Sequence, residues 1–332
     1  MKLLTVGRLM ISPVQVAVGG DAPSLSDLEG MINDQLYPGA PVARGWGGTL
    51  VGSGEEDGPQ ELIQRRSDPG SAALYELDGR EFILARFLYD RPRAGLARDF
   101  GPEELQEFGA RRTHELFGID CVFLPEDEGF GVLVNTRNER EVVGSIYPAL
   151  RKLVGDDRDV TVRAHPGFVP DPDLFLWLLY RLDGRQEIGQ SLDLDSIRSL
   201  NSHDGLDRNI RFLDAVALDR AAVLSEVMNP DRQFGPAKFA VTHAELGLTA
   251  DLFLDLEGTF DVHVSRSFFH DDDEDDATRP WFGPLLVHSV ATTVLPGLYR
   301  AHQEDGAWTS QQRSEFRASC RERLETEIDR VR

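Results

Sequence analysis

Short runs of alternating apolar and polar residues recur along the chain, and stretches with helical spacing interrupt them. The clearest strand signal lies at 72–89, where two apolar runs flank Asp78 and Gly79. Asp-Gly between two such runs is typical of a tight hairpin, because both central residues of the turn take positive φ. The pattern therefore predicts a β-hairpin over 72–89.

The segment 119–164 has the pattern of a compact ββαβ unit. After two apolar runs, Thr136 stands three residues before Glu139, which is the spacing of a helix capping box. The helix that follows has apolar residues at helical spacing, with Pro148 inside it. Since proline has no backbone N–H, we expect a kink or a lost hydrogen bond there. A third apolar run closes the unit as a strand.

Two further helices are predicted from local signals. At 102–117, Pro102 suits the first helical position, Glu103 favours the positive end of the helix dipole, and Gly118 would end the helix. The second helix is expected at 221–227.

A three-stranded meander is predicted over 238–265. Its last two strands carry apolar residues at every second position. A three-residue loop puts these residues opposite each other, with Leu254 facing Val262, whereas a two-residue loop would pair them with polar residues. The same register predicts that Asp255 faces Asp261 across the two strands.

A proline-rich segment, 165–173, separates two halves of the chain. The elements together predict an α+β protein with mixed or antiparallel sheets, hairpins, two halves and C-terminal helices. We expect an N-terminal domain over 1–165 and a C-terminal domain over 174–332.

The segments 75–80 and 180–185 share the pattern Tyr-x-Leu-Asp-Gly-Arg. An internal duplication would explain the likeness. Two hairpins with the same turn chemistry would also explain it, and the diverging flanks favour this second interpretation.

The last part of the chain, 285–332, is predicted to form two helices. On the second helix, apolar residues that include Phe316, Leu324 and Ile328 form one narrow stripe. Such a stripe suits a helix that docks by one edge. Docking onto its own domain is the more common arrangement. Docking onto a protein partner through Phe316, Leu324 and Ile328 is the alternative.

Charge is the most informative property of the composition. The 332 residues include 57 acidic and 35 basic ones, which gives a formal net charge of -22. Of the basic residues only Lys2, Lys152 and Lys238 are lysines. A surface rich in short carboxylates and arginine stays hydrated when salt screens charge repulsion. Because the acids are spread along the chain, they favour a halophilic, acidic surface over an acidic partner-binding patch, and they argue against broad nucleic-acid binding.

The cysteines and the apolar stretches indicate the compartment. Cys121 and Cys320 have no neighbouring ligands at metal-binding spacing, so two buried, neutral thiols in a reducing compartment are expected. No signal-peptide pattern begins the sequence. The longest apolar stretches, 174–180 and 284–295, are shorter than the roughly 20 residues that cross a bilayer. We therefore expect a cytoplasmic protein.

The segment 201–209 concentrates polar residues. Ser202 and Arg208 have the spacing of nucleophile and arginine in the phosphate-binding loop of cysteine-dependent phosphatases, and Gly-Leu-Asp-Arg is similar to part of such loops. This chain departs from those loops by having serine, which is not a thiolate at neutral pH, in place of cysteine. The catalytic candidates are Ser202 and Arg208, by this resemblance, and the polar residues that the same short turn holds near them, His203, Asp204 and Asp207. A polar turn in which Asp207 caps the next segment is the alternative, and the weak helical signal that follows favours it.

The carboxylates of the meander give a second candidate site. Two carboxylates that face each other repel, and a divalent cation would offset the repulsion. Asp255, Asp261 and His263 are therefore candidate metal ligands. Opposed surface aspartates that salt screens are the alternative interpretation.

No nucleotide-binding loop, serine-hydrolase elbow or zinc-binding helix motif occurs in the sequence, and no cofactor is predicted. The favoured hypothesis is a cytoplasmic binding or assembly protein of a salt-adapted cell, acting through partner contacts. The alternative is a phosphoester hydrolase that uses the 202–208 turn, with or without a metal.

Overall fold

The structure is a computed structural model. It describes residues 7–40, 42–48, 69–77, 79–93, 114–155, 158–184, 187–204, 209–213, 216–270 and 282–331. The chain divides into two compact units, of which the first comprises Met1–His165 and Thr278–Leu285 and the second comprises Pro166–Ala277 and Leu286–Arg332. Each unit has antiparallel strand pairs and helices, so the predicted α+β class is confirmed. The domains expected over 1–165 and 174–332 stay a prediction.

The described part of the first unit contains one antiparallel sheet. Its strands are β1 Arg8–Val18, β2 Arg44–Gly47, β3 Ala73–Leu77, β4 Arg80–Pro92, β5 His114–Glu126, β6 Gly129–Val134 and β7 Val160–Ala164. They pair in the order β4–β5–β6–β1–β7, and both β2 and β3 pair with β4. The hairpin predicted at 72–89 is the β3–β4 pair.

Two helices of the first unit cover one face of this sheet. Helix α1 is Leu25–Asn33, and helix α2 consists of Glu139–Glu141, a π-helical stretch Val142–Ile146 and Tyr147–Val154. The core between them and the sheet contains Val14, Val16, Leu28, Ile83, Phe87, Phe123, Ile146 and Leu150. The strands β5, β6 and β7 with α2 form the ββαβ pattern predicted for 119–164.

The start of α2 differs from the predicted capping box. Asn138 is the N-cap, and its side chain accepts a hydrogen bond from the N–H of Arg140 at 3.2 Å. The Thr136 hydroxyl instead accepts from the N–H of Asn138 at 3.1 Å and donates to Glu141 at 2.7 Å. Thr136 and Glu139 therefore do not form the predicted capping box. The N-cap lies two residues later, at Asn138, because the chain needs these two residues to turn from β6 into the helix.

Pro148 lies at the second residue of the last α-helical part of α2. The π-helical stretch directly before it widens one turn, and the N–H of Tyr147 bonds the carbonyl of Val142. Pro148 cannot donate to Gly144, and the carbonyl of Gly144 accepts from Nη1 of Arg44 at 3.4 Å. The lost backbone hydrogen bond expected at Pro148 is thus confirmed, and a side chain from β2 compensates for it.

The helix predicted over 102–117 is wrong over 114–117. These residues belong to β5, where Leu116 pairs with Asp90 and Phe117 with Tyr89. Pairing along the full length of β4 outweighs the weak local helix signals there. Residues 102–113 lie outside the described part of the chain.

The described part of the second unit contains a further antiparallel sheet. Its strands are β8 Glu187–Gly189, β9 Leu192–His203, β10 Asn209–Leu213, β11 Gln233–His243, β12 Leu248–Leu254, β13 Phe260–His263 and β14 Phe268–Phe269. They pair in the order β10–β9–β11–β12–β13, while β8 pairs with β9 and β14 with β12. The strands β11, β12 and β13 are the predicted meander.

Helix α3 is Leu174–Gly184, helix α4 is Ala221–Val227 and helix α6 is Ser310–Val331. Helix α5 consists of Phe282–Ser289, a π-helical stretch Val290–Val294 and Leu295–Glu304. The prediction of a helix at 221–227 is confirmed. Helix α5 is long and apolar enough to cross a membrane, and 72% of its apolar window is buried inside the protein, as in a core helix.

The repeated Leu-Asp-Gly segments take different structures. The segment around Tyr75 belongs to strand β3 and the start of β4, whereas Tyr180 to Gly184 form the end of helix α3. The interpretation as two hairpins is therefore wrong for the second segment. Six consecutive apolar residues, 174–179, are buried in α3, which explains why their run had no helical period.

Helix α6 docks onto its own unit through its first half. Phe316 and Cys320 are buried, and Phe316 contacts the rings of Tyr180 and Trp308. Arg317 donates to the carbonyl of Val227 at 2.7 Å. Phe316 is thus not accessible to a protein partner, which corrects one of the three predicted contact residues. Leu324 is half-buried and Ile328 is exposed, so a contact through them stays a prediction.

Both cysteines have free, buried thiols, as predicted. Burial raises the pKa of Cys121 well above its usual value, and the neighbouring carboxylate of Asp120 raises it further. Burial is also the main reason why the pKa of Cys320 rises to about 11. Both thiols are therefore neutral at physiological pH.

Candidate functional site

The polar segment that begins at 201 ends strand β9. Ser202 is buried and donates to the carboxylate of Glu226 at 2.7 Å. His203 follows Ser202 in the strand and points to the opposite face of the sheet. Asp204 forms an ion pair with Arg232 at 3.2 Å. Strand alternation therefore does not bring Ser202 and His203 together.

Two of the other candidates from this segment, Asp207 and Arg208, lie outside the described residues. The buried hydroxyl of Ser202 is held by a carboxylate, which itself contacts Arg232 at 2.8 Å. A carboxylate at this position fixes the end of β9 against helix α4.

The meander has a different register from the predicted one. Phe253 pairs with Asp261, so the strands are shifted by two residues and Asp255 does not face Asp261. Asp255 lies in the turn instead, where its carboxylate accepts from the N–H groups of Glu257 at 2.9 Å and Thr259 at 3.0 Å. These bonds stabilise a longer loop than the one assumed. A shift by two residues leaves every side chain on its predicted face.

The predicted metal ligands Asp255, Asp261 and His263 do not form a metal site. Within the described residues, no group of three or more histidine, cysteine or acidic side chains could hold a metal ion. His263 instead contacts Nζ of Lys238 at 3.1 Å. The observed register separates the carboxylates of Asp255 and Asp261, because that of Asp255 accepts hydrogen bonds within its own turn.

A set of cationic side chains lies on this same face of the second unit's sheet. Asp251 is fully buried and contacts Arg198 at 2.5 Å, Lys238 at 3.6 Å and Arg266 at 3.7 Å. The N–H of Asp251 donates to the hydroxyl of Ser267 at 3.1 Å. We call Arg198, Lys238 and Arg266, arranged around Asp251, the cationic cluster.

Three adjacent strands and one turn position the cationic cluster. Lys238 is on β11 and Asp251 on the neighbouring β12. Arg198 is an inserted residue of β9, because Ser199 pairs with Lys238 and Ile197 with Phe239. Such a β-bulge re-aims a side chain, and here it turns Arg198 towards Asp251.

Positive charge is in excess in the cationic cluster. The side chains of Arg198, Lys238 and Arg266 are 39%, 20% and 52% exposed, so they reach solvent while Asp251 does not. Partial burial lowers the pKa of Lys238, Asp251 opposes this effect, and the guanidinium groups of Arg266 and Arg198 lower the pKa further. Asp261 is buried on the same face, one strand beyond Phe253.

An exposed aromatic ring lies beside the cationic cluster. Phe268 pairs with Thr249 across β14 and β12 and is 51% exposed. Its ring lies 5.3 Å from that of His270, which contacts the hydroxyl of Thr249 at 2.9 Å. Cross-strand partners share a face of the sheet, so Phe268 lies on the same face as Thr249. Thr249 and Asp251 are two residues apart on β12 and therefore share that face too, which places Phe268 on the side of the cationic cluster. The face thus offers positive charge next to apolar surface.

No model of a known protein family matches the chain, and no curated protein is similar to it in sequence. The chemistry of the cationic cluster is therefore the basis for a functional proposal.

Proposed function

We propose that this chain is a binding protein, and that the cationic cluster recognises an acidic segment of a protein partner. One observation supports the proposal above all: three cations contact the buried carboxylate of Asp251 in a chain of net charge -22. Like charges gathered around one carboxylate repel, and a carboxylate from a partner would relieve the repulsion.

The surroundings of the cluster favour a protein segment as the ligand. Arginine and aromatic residues are enriched at the energetically important positions of protein interfaces. Arg198 and Arg266 can each take a carboxylate in bidentate fashion, and Phe268 offers apolar contact beside them. The hydrolase alternative has no comparable constellation among the described residues, since Ser202 and His203 lie on opposite faces.

The first test measures binding of a fluorescein-labelled, glutamate-rich peptide that contains one phenylalanine. We expect its Kd, from fluorescence anisotropy at low salt, to rise about tenfold or more in Arg198→Glu, because the loss of a charge-assisted hydrogen bond is worth roughly 1.5–3 kcal/mol. Low salt is needed because the contacts are partly exposed and salt screens them.

The matched control for this experiment is Arg330→Glu on helix α6. Arg330 is 71% exposed and pairs with Glu327, so the substitution changes the net charge equally and leaves the cluster intact. Equal effects of the two substitutions would mean that only the net charge matters, and the proposal would then be wrong. A lysine-rich peptide that binds as well as the glutamate-rich one would contradict it too.

We also propose that the protein works in the cytoplasm of a salt-adapted cell. If so, the midpoint of thermal unfolding rises by several degrees from dilute buffer to molar KCl, since each ~1 kcal/mol of relieved repulsion raises the Tm of a unit of the size of these two by about 2–4 °C. Differential scanning calorimetry over a KCl series measures this. A Tm that stays level or falls with KCl would show that the acidic composition is not an adaptation to salt.

A further inference from the structure

The face of the second unit's sheet that carries the cationic cluster continues to strand β10. Leu213 on β10 pairs with Ser199 on β9, and Ser199 pairs in turn with Lys238 on β11. Cross-strand partners share a face of the sheet, so Leu213 lies on the same face as Lys238. All three residues belong to the second unit. The proposed function as stated uses the cationic cluster and Phe268, and it leaves this end of the face without a role.

Strand β10 presents an apolar side chain and a cation on this face. Leu213 is 52% exposed, as much as Phe268 on the other side of the cationic cluster. Arg211 stands two residues before Leu213, so it shares the same face. Arg211 is exposed, and it forms no hydrogen bond or ion pair with the residues that the structure describes. In a chain with 57 acidic and 35 basic residues, this end of the face thus offers an unbalanced positive charge beside apolar surface.

Leu213 and Phe268 mark two ends of this face. Four steps between neighbouring strands, β10–β9–β11–β12–β14, separate them, and at roughly 4.8 Å per step they cover about 19 Å. Along the strands, the row of Leu213 crosses β11 at Lys238 and the row of Phe268 crosses it at Thr242, which is about 13 Å further. The two apolar residues are therefore about 23 Å apart on the diagonal, with the cationic cluster between them.

This distance selects the conformation of a partner segment that contacts both ends. At about 3.3 Å per residue, an extended chain spans it with about seven residues, whereas a helix needs about fifteen. The carboxylates that meet the cationic cluster and Arg211 would be close neighbours in such a segment. Like charges at helical spacing destabilise a helix, so an acidic segment favours the extended form.

Ile210, on the same strand, provides a matched comparison for Leu213. A single exposed apolar residue is common on protein surfaces and does not mark a binding site. Ile210 is 38% exposed, but it pairs with the buried Ser202, whose hydroxyl donates to Glu226 on helix α4. Ile210 therefore lies on the face opposite to that of Leu213. Only Leu213 combines its exposure with the face of the cationic cluster.

We propose that the acidic segment recognised by the cationic cluster is extended and carries two apolar anchors about seven residues apart, one on Phe268 and the other on Leu213. Carboxylates between the anchors bind the cationic cluster and Arg211. This inference rests on the proposed function, and it adds the length, the conformation and the residue pattern of the partner segment.

Three fluorescein-labelled, glutamate-rich peptides test this inference with the full-length chain. The two-anchor peptide has two phenylalanines about seven residues apart, and the one-anchor peptide has serine in place of the second. By fluorescence anisotropy at low salt, we expect the Kd of the two-anchor peptide to be about tenfold lower, because it buries one more apolar side chain. In the third peptide the phenylalanines stand about three residues apart. It should bind like the one-anchor peptide, because it cannot reach both ends of the face.

Variants of β10 show whether Leu213 holds the second anchor. Leu213→Ser should raise the Kd of the two-anchor peptide about tenfold and change that of the one-anchor peptide less than about twofold. The matched control Ile210→Ser should change neither. Circular dichroism checks that the variants are folded. If Leu213→Ser does not fold, the three peptides still decide the outcome with the native chain.

Arg198→Glu distinguishes failure of this inference from failure of the proposed function, since it should weaken both peptides if the cationic cluster binds acidic segments. If it does so while the two-anchor and one-anchor peptides bind equally well, or while Leu213→Ser leaves their difference unchanged, the inference is wrong and the proposed function stands. If Arg198→Glu weakens neither peptide, both are wrong. A dimer of the native chain in light scattering at low salt that is lost in Leu213→Ser would mean that a second copy covers this face, which also overturns the inference.

Discussion

Replacing Asp120 with alanine is expected to lower the free energy of unfolding by about 3–5 kcal/mol, because it leaves a guanidinium inside the protein without its carboxylate. Asp120 on β5 and Arg86 on β4 pair directly across the strands and are both almost completely buried. Nε of Arg86 lies 2.7 Å from Oδ1 of Asp120, and Nη2 lies 3.4 Å from Oδ2. Urea unfolding followed by circular dichroism measures the change.

A double variant separates the cost of a broken pair from the value of the pair itself. In Arg86→Met with Asp120→Leu, apolar side chains of similar size replace both charges, and we expect stability within about 1–2 kcal/mol of the native chain. The control Glu115→Gln neutralises a half-exposed pair with Arg91 and leaves the contact of Arg91 with Phe117 in place, which should cost about 1 kcal/mol or less. If Asp120→Ala costs no more than this control, the pair is not structurally important.

The sequence predicts strands better than it predicts their exact pairing. The hairpin at 72–89 and the meander at 238–265 follow from turn chemistry and from alternation, both of which are local. The register of the meander required knowledge of the loop, and the side chain of Asp255 lengthens that loop by accepting two backbone hydrogen bonds. A two-residue slip preserves the buried face, so the apolar pattern cannot detect it.

The helix predicted over 102–117 shows that local signals can also indicate the wrong element. Its proline, acidic residues and glycine are correct local helix signals, yet 114–117 pair with β4 over residues 89–92. Pairing partners that are distant in the sequence decide such segments. The apolar run 174–179 is ambiguous for a related reason, since a helix that is buried all round has no polar face to reveal its period.

The cationic cluster could not be predicted because its members converge only in the folded sheet. Arg198, Lys238 and Asp251 are far apart in the sequence, and the bulge that turns Arg198 is set by strand pairing. One signal was present. Only three residues of the chain are lysines, and one of them, Lys238, lies in the middle of a strand. The alternating pattern places it on the face of the strand that is not the apolar one.

The second large effect is expected for Asp251, the carboxylate beneath the cationic cluster. Asp251→Asn keeps the size of the side chain and removes its charge, so that Arg198, Lys238 and Arg266 repel one another without the carboxylate that each of them contacts. Because the carboxylate is fully buried and Arg198 lies 2.5 Å from it, while the three cations reach solvent, we expect a loss of about 1.5–3 kcal/mol in the free energy of unfolding, measured by urea denaturation.

The control Asp195→Asn alters the other bulge residue of β9. Asp195 is exposed and accepts a hydrogen bond from Thr242, so its replacement should cost about 1 kcal/mol or less. Equal stability of the two variants would mean that Asp251 does not balance the cluster.

The variant Asp251→Asn also tests whether the cationic cluster binds anions. If the cluster binds anions, phosphate should stabilise Asp251→Asn more than it stabilises the native chain, compared with KCl at equal ionic strength, because an anion that binds only the folded state adds to its stability. An identical response of both chains to phosphate would mean that Asp251 has a structural role only and that the cluster does not bind phosphate.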